Sequence, residues 1–329
     1  MSEVQIRSYR DEDRDAILDL RARVFEGLEP EREKLRWAWQ FENNPFVRHD
    51  TPRTWVAELE GKIIGNYGML PLEFSVDGER VTGLCGMDFC VDSVHRNLGL
   101  GMRLTKAFID TPGCAVHTVT SPTPAAAKLM AYYGSEILDG ESEPCLWVHA
   151  GAELPDKALE EQVNIETLER FDERSDRFFD EVAHDFRLLI ARDQRYLNWR
   201  YCDYPFGQAR VTAALRNPTN LAGFSVVQAD PSSRRAHLCE LFAHREDEST
   251  LEALLRDAVV SVRGSEIDEL YVFHRDPFVQ ALLERNGFQV VQGHGMSAVC
   301  RTPNGMGVKD WYLSAGDGDI LFGVGGAGM

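Results

Sequence analysis

The stretch FCVDSVHRNLGLGMRLTKAF, residues 89–108, decides how the rest of the chain is interpreted. It predicts a strand, then a turn with the pattern R-x-x-G-x-G at 96–101, then an amphipathic helix that starts at this turn. Two glycines let the backbone approach a ligand closely, and the N–H groups and dipole of a helix start attract an anion. Arg96 adds positive charge at the same place. The segment is therefore suited to bind a pyrophosphate.

Two other interpretations compete for this turn. A dinucleotide-binding fingerprint would need a third glycine where Leu104 stands, and it would need an early strand–helix unit. A formal G-x-G-x-x-G also occurs at 323–328, but no helix follows it, so it is not counted. An ordinary α/β domain with a glycine-containing helix start remains the alternative for the turn taken alone.

The chain contains an internal repeat. VQIRS at 4–8 reappears as VNIET at 163–167, and W-x-F-x-x-x-P at 39–45 reappears as W-x-Y-x-x-x-P at 199–205. Three further matches follow in the same order along the chain. They pair Gly65 with Gly223, Leu104–Ile109 with Leu255–Val260, and Leu129–Gly134 with Leu282–Gly287. Five collinear matches indicate two similarly folded halves.

We predict domains at 1–160 and 161–305, followed by a glycine-rich C-terminal tail at 306–329. A single large α/β domain with chance matches is the alternative. Hydrophobic periodicity in the first half predicts the order β-α-α-β-β-β-α-β-α. The strands fall at 4–9, 54–59, 62–71, 79–91 and 115–120, and the helices at 11–25, 34–41, 98–110 and 124–133.

With this element order, the segment resembles motif A of the GCN5-related N-acetyltransferase (GNAT) superfamily. That family's pattern V-x-P-x-x-[RQ]-x-x-G-x-[GA] lies at 91–101, with Ser93 in place of the proline. The resemblance covers the first half and implies an α/β (α+β) fold: two tandem GNAT-like acyl-CoA N-acyltransferase domains, each a central mixed β-sheet flanked by helices. It also implies acetyl-CoA as co-substrate, with pantetheine beside 89–91 and pyrophosphate on the backbone of 97–102. The implied cofactor-binding residues are Phe89, Cys90, Val91, Arg96, Asn97, Leu98, Gly99, Leu100, Gly101 and Met102.

The resemblance has two departures. In the helix TPAAAKLMAYYGS at 123–135, Met130 stands where the family usually has a tyrosine that protonates the thiolate, and Ser135 stands where it has phenylalanine. In the second half, the positions of Arg96, Gly99 and Gly101 are taken by other residues, two of them acids that would repel a pyrophosphate. Those residues are Asp247, Thr250 and Glu252. We therefore expect one active domain and one degenerate domain.

The resemblance implies a carboxylate base on the fourth strand, and Asp88 is the only acid within 83–91. The alternatives are a structural role for Asp88, or a base at Glu73 or His117. For the acid, Tyr133 lies three residues after Met130 and therefore on nearly the same helix face, with core packing or water as alternatives. Cys90 is interpreted as a small apolar strand residue rather than an acyl carrier.

The amino-acid composition of the chain argues against some classes of binding partner. The chain has 35 basic and 53 acidic residues, so its net charge of −18 disfavours nucleic acid and anionic membranes. Seven scattered cysteines form no C-x-x-C pair, so we expect no metal site. The N-terminus has no signal-like apolar segment, and no apolar run is long enough to span a membrane, which predicts a cytoplasmic protein.

The sequence thus predicts an enzyme: an N-acetyltransferase that moves an acetyl group from acetyl-CoA to an amine of a small molecule, by direct transfer in a ternary complex. The second half is expected to shape the acceptor cleft. A non-catalytic acyl-CoA-binding scaffold and a protein N-acetyltransferase are the alternatives. The oligomeric state is open.

Overall fold

The computed structural model describes residues 3–140, 145–155, 163–230, 232–291, 295–302 and 304–318. These residues form two compact units. The first comprises Met1–Phe74, Arg80–Leu138 and Ala298–Lys309, and the second comprises Ser75–Glu79, Asp139–Ser297 and Asp310–Met329. Of the predicted tail, residues 319–329 lie outside the described part, as does the G-x-G-x-x-G match at 323–328.

The described strands and helices are numbered in chain order. The strands are β1 Gln5–Ser8, β2 Thr54–Leu59, β3 Lys62–Val76, β4 Glu79–Val91, β5 Val116–Thr120, β6 Glu136–Leu138, β7 Cys145–His149, β8 Asn164–Leu168, β9 Leu188–Ile190, β10 Ala209–Asn217, β11 Asn220–Asp230, β12 Arg235–Ala243, β13 Glu269–Val272, β14 Gln289–Val291 and β15 Ala298–Arg301. The helices are α1 Arg14–Val24, α2 Pro30–Trp37, α3 Leu100–Ile109, α4 Pro124–Tyr132, α5 Glu173–Val182, α6 Gln194–Leu197, α7 Glu248–Val262 and α8 Pro277–Arg285.

The first unit contains a mixed sheet in the order β1-β2-β3-β4-β5-β15-β6. β4 and β5 run parallel, whereas β15 is antiparallel to both β5 and β6. One face of the sheet is covered by α3, whose Leu100, Leu104 and Phe108 are fully buried. Successive members of this set are four residues apart, the spacing that places them on one side of a helix.

The second unit contains a mixed sheet in the order β14-β7-β13-β12-β11-β10-β8. β12 and β13 run parallel, and β7 is antiparallel to both β13 and β14. Leu254 and Val259 of α7 and Leu282 of α8 are fully buried in the core of this unit. The predicted fold class, two mixed sheets flanked by helices, is confirmed.

The two units do not divide simply at residue 160, because each sheet includes a strand from the other side of that residue. The strand between β5 and β6 is β15, from the end of the chain, and the strand between β13 and β14 is β7, from its middle. The first sheet thus includes a strand from the second half of the sequence, and the second sheet includes a strand from the first half. The two strands occupy equivalent positions in similar sheets. A repeat in the sequence therefore cannot show to which sheet each strand belongs.

Candidate active site

An opening in the sheet of the first unit lies between β4 and β5. The two strands pair only from Gly83 to Cys85 on β4, and β4 then continues to Val91. Asp88, within that continuation, has φ +53°, a left-handed conformation that costs a non-glycine residue about 1–3 kcal/mol. Its carbonyl accepts a hydrogen bond from Nδ2 of Asn66 at 3.0 Å. Because the pairing with β5 ends at Cys85, the edge of β4 beyond it offers backbone groups to an extended ligand.

The predicted anion-binding turn lies at the end of this strand. A 3-10 turn covers Ser93–Leu98, and Gly99 (φ 66°) then begins α3 in the left-handed conformation that favours glycine. A Cβ atom on Gly101 would lie 3.2 Å from Cδ1 of Leu129, so this glycine lets α3 pack closely against α4. The two glycines thus have different roles, one in the turn and one in helix packing.

The start of α3 differs from the starts of the other described α-helices. It has neither a side-chain cap nor an acidic residue in its first turn, whereas each of the others has at least one of the two. Its first N–H groups therefore have no partner within the helix and face solvent or a ligand. Arg96 is exposed, and no ion pair joins it to another residue that the structure describes. Residues 96–99 are all exposed, so the turn is accessible.

A largely buried cluster of four charges holds the Asp88 side chain. Arg36 donates from Nη2 to both carboxylate oxygens at 3.1 and 3.2 Å, and Arg21 forms a second ion pair with Asp88. Glu33 accepts hydrogen bonds from both arginines, at 2.6 Å from Arg21 and 3.0 Å from Arg36. Burial raises the pKa of Glu33, and the Arg21 charge opposes that change. The two ion pairs fix a carboxylate that is attached to strained backbone.

The other predicted acid–base candidates lie apart from one another. Tyr133 donates its hydroxyl to the carbonyl of Met102 at 3.1 Å, and Glu73 pairs with Arg80. His117 is buried edge-on to the ring of Phe108, and burial lowers its pKa to about 4. It is therefore neutral near pH 7.

Cys90 is buried in the first unit, and burial raises the pKa of its thiol to about 12. A protonated thiol is a weak nucleophile, which agrees with the interpretation of Cys90 as an apolar strand residue.

Among the residues that the structure describes, no group of three or more histidine, cysteine, aspartate or glutamate side chains is placed to hold a metal ion. No described helix is long and apolar enough to cross a membrane.

The second unit closes its corresponding helix start with its own side chains. Asp247 accepts hydrogen bonds from the N–H of Thr250 at 3.1 Å and from Oγ of Ser249 at 3.0 Å. Glu252, the fifth residue of α7, is buried and accepts a hydrogen bond from Nδ2 of Asn286 at 2.9 Å. A negative cap already satisfies the helix dipole, so this start does not attract a pyrophosphate.

The opening between β12 and β13 is also filled, by residues 312–317. The N–H of Ala315 donates to the carbonyl of Phe273 at 3.0 Å, and the N–H of Arg275 donates to the carbonyl of Leu313 at 3.1 Å. On the other side, the Tyr312 hydroxyl donates to the carbonyl of Leu241 at 3.2 Å. This C-terminal segment occupies, in the second unit, the position that is open beside β4 in the first.

Buried charges anchor that segment. Arg192, which is fully buried, donates from Nη2 to both oxygens of Asp317 at 2.7 Å. Glu240, also fully buried, accepts from the Tyr201 hydroxyl at 2.7 Å, and burial raises its pKa. The sequence did not indicate these residues, nor Arg21 and Arg36. Arg192 lies 125 residues from Asp317, and Arg36 lies 52 residues from Asp88, too far for a local pattern to indicate the pairs.

Comparisons with known proteins agree with this geometry. Residues 5–137 match a family model described as an acetyltransferase (GNAT) domain. No curated protein sequence matches the chain significantly. Solved structures with a similar fold include a GCN5-related N-acetyltransferase from Kribbella flavida, with a TM-score of 0.64 at 18% identity over 92% of this chain and 71% of that one.

Two further solved structures have the same fold. A GCN5-related N-acetyltransferase from Anabaena variabilis gives a TM-score of 0.64 at 12% identity, over 91% of this chain and 73% of that one. An N-myristoyltransferase from Saccharomyces cerevisiae, with bound myristoyl-CoA, gives 0.57 at 11% identity, over 92% and 79%. At such identities, these similarities concern the fold.

Proposed function

We propose that this protein transfers an acetyl group from acetyl-CoA to an amine of a small molecule, in a ternary complex, because residues 5–137 match the GNAT acetyltransferase domain. One observation carries the proposal: the uncapped, acid-free start of α3 lies at the end of the strand that separates from β5. A ligand with a pyrophosphate and an extended amide-containing arm fits both features.

The residues of the turn fit coenzyme A. The N–H groups of 97–102 and the guanidinium of Arg96 are proposed to hold the pyrophosphate, because oriented amides and a bidentate cation suit its oxygens. The pantetheine arm is proposed to lie along 89–91, where its amides replace the missing strand partner.

The reaction requires two contributions from the chain beyond binding. The amine attacks the thioester carbonyl, and a backbone N–H near Cys90 or Val91 is proposed to stabilise the developing oxyanion. Asp88 is proposed to accept the proton of the amine. Its ion pairs with Arg21 and Arg36 support a competing role, in which the carboxylate fixes the strained backbone.

The two roles of Asp88 give different pH profiles. If Asp88 is the base, Asp88→Asn removes the acidic limb of the profile of kcat/KM against pH. If it only fixes the strand, the variant lowers activity while the limb stays in place.

The second unit is proposed to bind no acyl-CoA. The cap by Asp247 and the segment at 312–317 support this, since they fill, in the second unit, the counterparts of the two places proposed for coenzyme A in the first. One acetyl-CoA per chain is the expected stoichiometry.

Isothermal titration calorimetry with acetyl-CoA tests the assignment. Gly99→Glu is expected to lower affinity at least tenfold, because it places a carboxylate beside the proposed pyrophosphate site. Gly113→Glu is the matched control: Gly113 also has a positive φ (77°), and its Cβ would likewise meet nothing within 4 Å. Absence of binding to the unmodified protein, or equal losses in both variants, contradicts the cofactor assignment.

A screen of amines with a free-thiol readout then separates catalysis from binding. Turnover with small amines supports the proposed reaction. Acetyl-CoA binding without turnover across a broad panel favours a scaffold, and turnover with peptides alone favours a protein N-acetyltransferase.

A further inference from the structure

Tyr67 on β3 has a buried hydroxyl group with only a weak partner. Its ring lies between those of Phe89 and Phe108, with centroid separations of 4.7 and 4.6 Å. The hydroxyl reaches the Sδ atom of Met130 at 3.6 Å, and a thioether is a weak acceptor. The side chain is 2% exposed. A buried phenol that uses so little of its hydrogen-bonding capacity requires an explanation.

The hydroxyl lies where β4 and β5 begin to separate. A Cβ atom on Gly86 would lie 2.7 Å from Cε1 of Tyr67, 3.0 Å from its hydroxyl oxygen and 3.1 Å from Cγ2 of Val119 on β5. Gly86 is the first residue of β4 after the last one paired with β5, Cys85. The phenol oxygen therefore lies at the apex of the opening, and glycine at 86 leaves room for it.

We infer that Tyr67 supplies, from β3, the phenol that α4 lacks at Met130, and that it protonates the sulfur of coenzyme A as the thioester breaks. The inference rests on the proposed function. As the N–C bond forms, the C–S bond breaks and its electron pair stays on sulfur. The Tyr67 proton passes to that sulfur, and the proton released by the amine is returned to the phenolate through solvent. The products are one amide and one thiol.

The other tyrosines near this helix are less suited to the role. The Tyr133 hydroxyl already donates to the carbonyl of Met102, a strong acceptor, at 3.1 Å. Tyr132 is 73% exposed. Burial raises the pKa of Tyr67, so its phenol stays protonated near pH 7 and can donate a hydrogen bond to the sulfur.

The experiment uses the full chain and coenzyme A itself. Tyr67→Phe keeps the ring stack and removes one oxygen atom. The ultraviolet absorbance of the bound thiolate, followed against pH, gives the acid dissociation constant of the bound thiol. We expect this constant to fall about tenfold in Tyr67→Phe, because a hydrogen bond to the charged sulfur is lost. Acetyl transfer to the best amine is expected to fall about 10²-fold or more. Tyr133→Phe is the matched control and should leave the thiol constant unchanged.

The outcomes separate this inference from the proposed function. If calorimetry shows no binding of coenzyme A to the unmodified protein, both fail. If coenzyme A binds equally to the unmodified protein and to Tyr67→Phe, and the thiol constant is the same in both, only the role of Tyr67 is overturned. A change in the constant with Tyr133→Phe and not with Tyr67→Phe assigns the role to Tyr133 and also overturns it.

Discussion

The substitution Asp88→Asn is expected to destabilise the sheet of the first unit strongly. It keeps the shape of the side chain and removes one of the two negative charges that face Arg21 and Arg36. The four side chains of the cluster are only 4 to 11% exposed. Removal of one partner from such a buried cluster leaves an uncompensated charge and costs about 3–5 kcal/mol.

Hydrogen exchange measures this loss locally. A loss of 3 kcal/mol corresponds to about a hundredfold lower protection of amides in β3 and β4. Glu73→Gln is the control, because it removes the carboxylate of the Glu73–Arg80 pair, whose side chains are 27 and 35% exposed. An exposed pair contributes about 0–1 kcal/mol, so protection should change by fivefold or less. Equal effects of the two substitutions would refute the reasoning that burial makes the Asp88 cluster strong.

Three further predictions concern packing, buried charge and pH. Leu104→Ala, at a fully buried position on α3, is expected to lower the free energy of unfolding by about 2–5 kcal/mol, measured by urea denaturation. Arg192→Met leaves Asp317 without its cation and should expose residues 312–317 to limited proteolysis, with a loss of about 3–5 kcal/mol. Burial lowers the pKa of His274 to about 4, below its unfolded value near 6.5, so the unfolded state binds more protons between these values. Stability should therefore fall as pH decreases from about 6.5 to 4, and His274→Gln should flatten that dependence in thermal unfolding curves.

The sequence predicted those parts of the structure that depend on interactions between residues close together in the chain. The strand, turn and helix of 89–108 appear as expected, because glycine conformation and helical spacing depend on near neighbours. The repeat predicted two similarly folded halves, and the family resemblance implied a mixed sheet in each; both sheets are present.

The parts that sequence did not predict depend on long-range pairing. Asp88 was singled out for its position on a strand, but its partners Arg21 and Arg36 come from two different helices. The filling of the second opening by residues 312–317 depends on a buried ion pair across 125 residues. No spacing within one element encodes such contacts.

The position of β15 in the first sheet has a consequence for synthesis. β5 and β6 are joined only through β15, which lies at residues 298–301. On a ribosome, residue 301 follows residue 138, the end of β6, by 163 residues. At about 5–20 residues per second this delay lasts roughly 8–33 s. During that interval β5 and β6 have unpaired edges, which are templates for aggregation. The first unit, most of which is synthesised before the second, therefore has to wait for residues 298–301 before its sheet is complete.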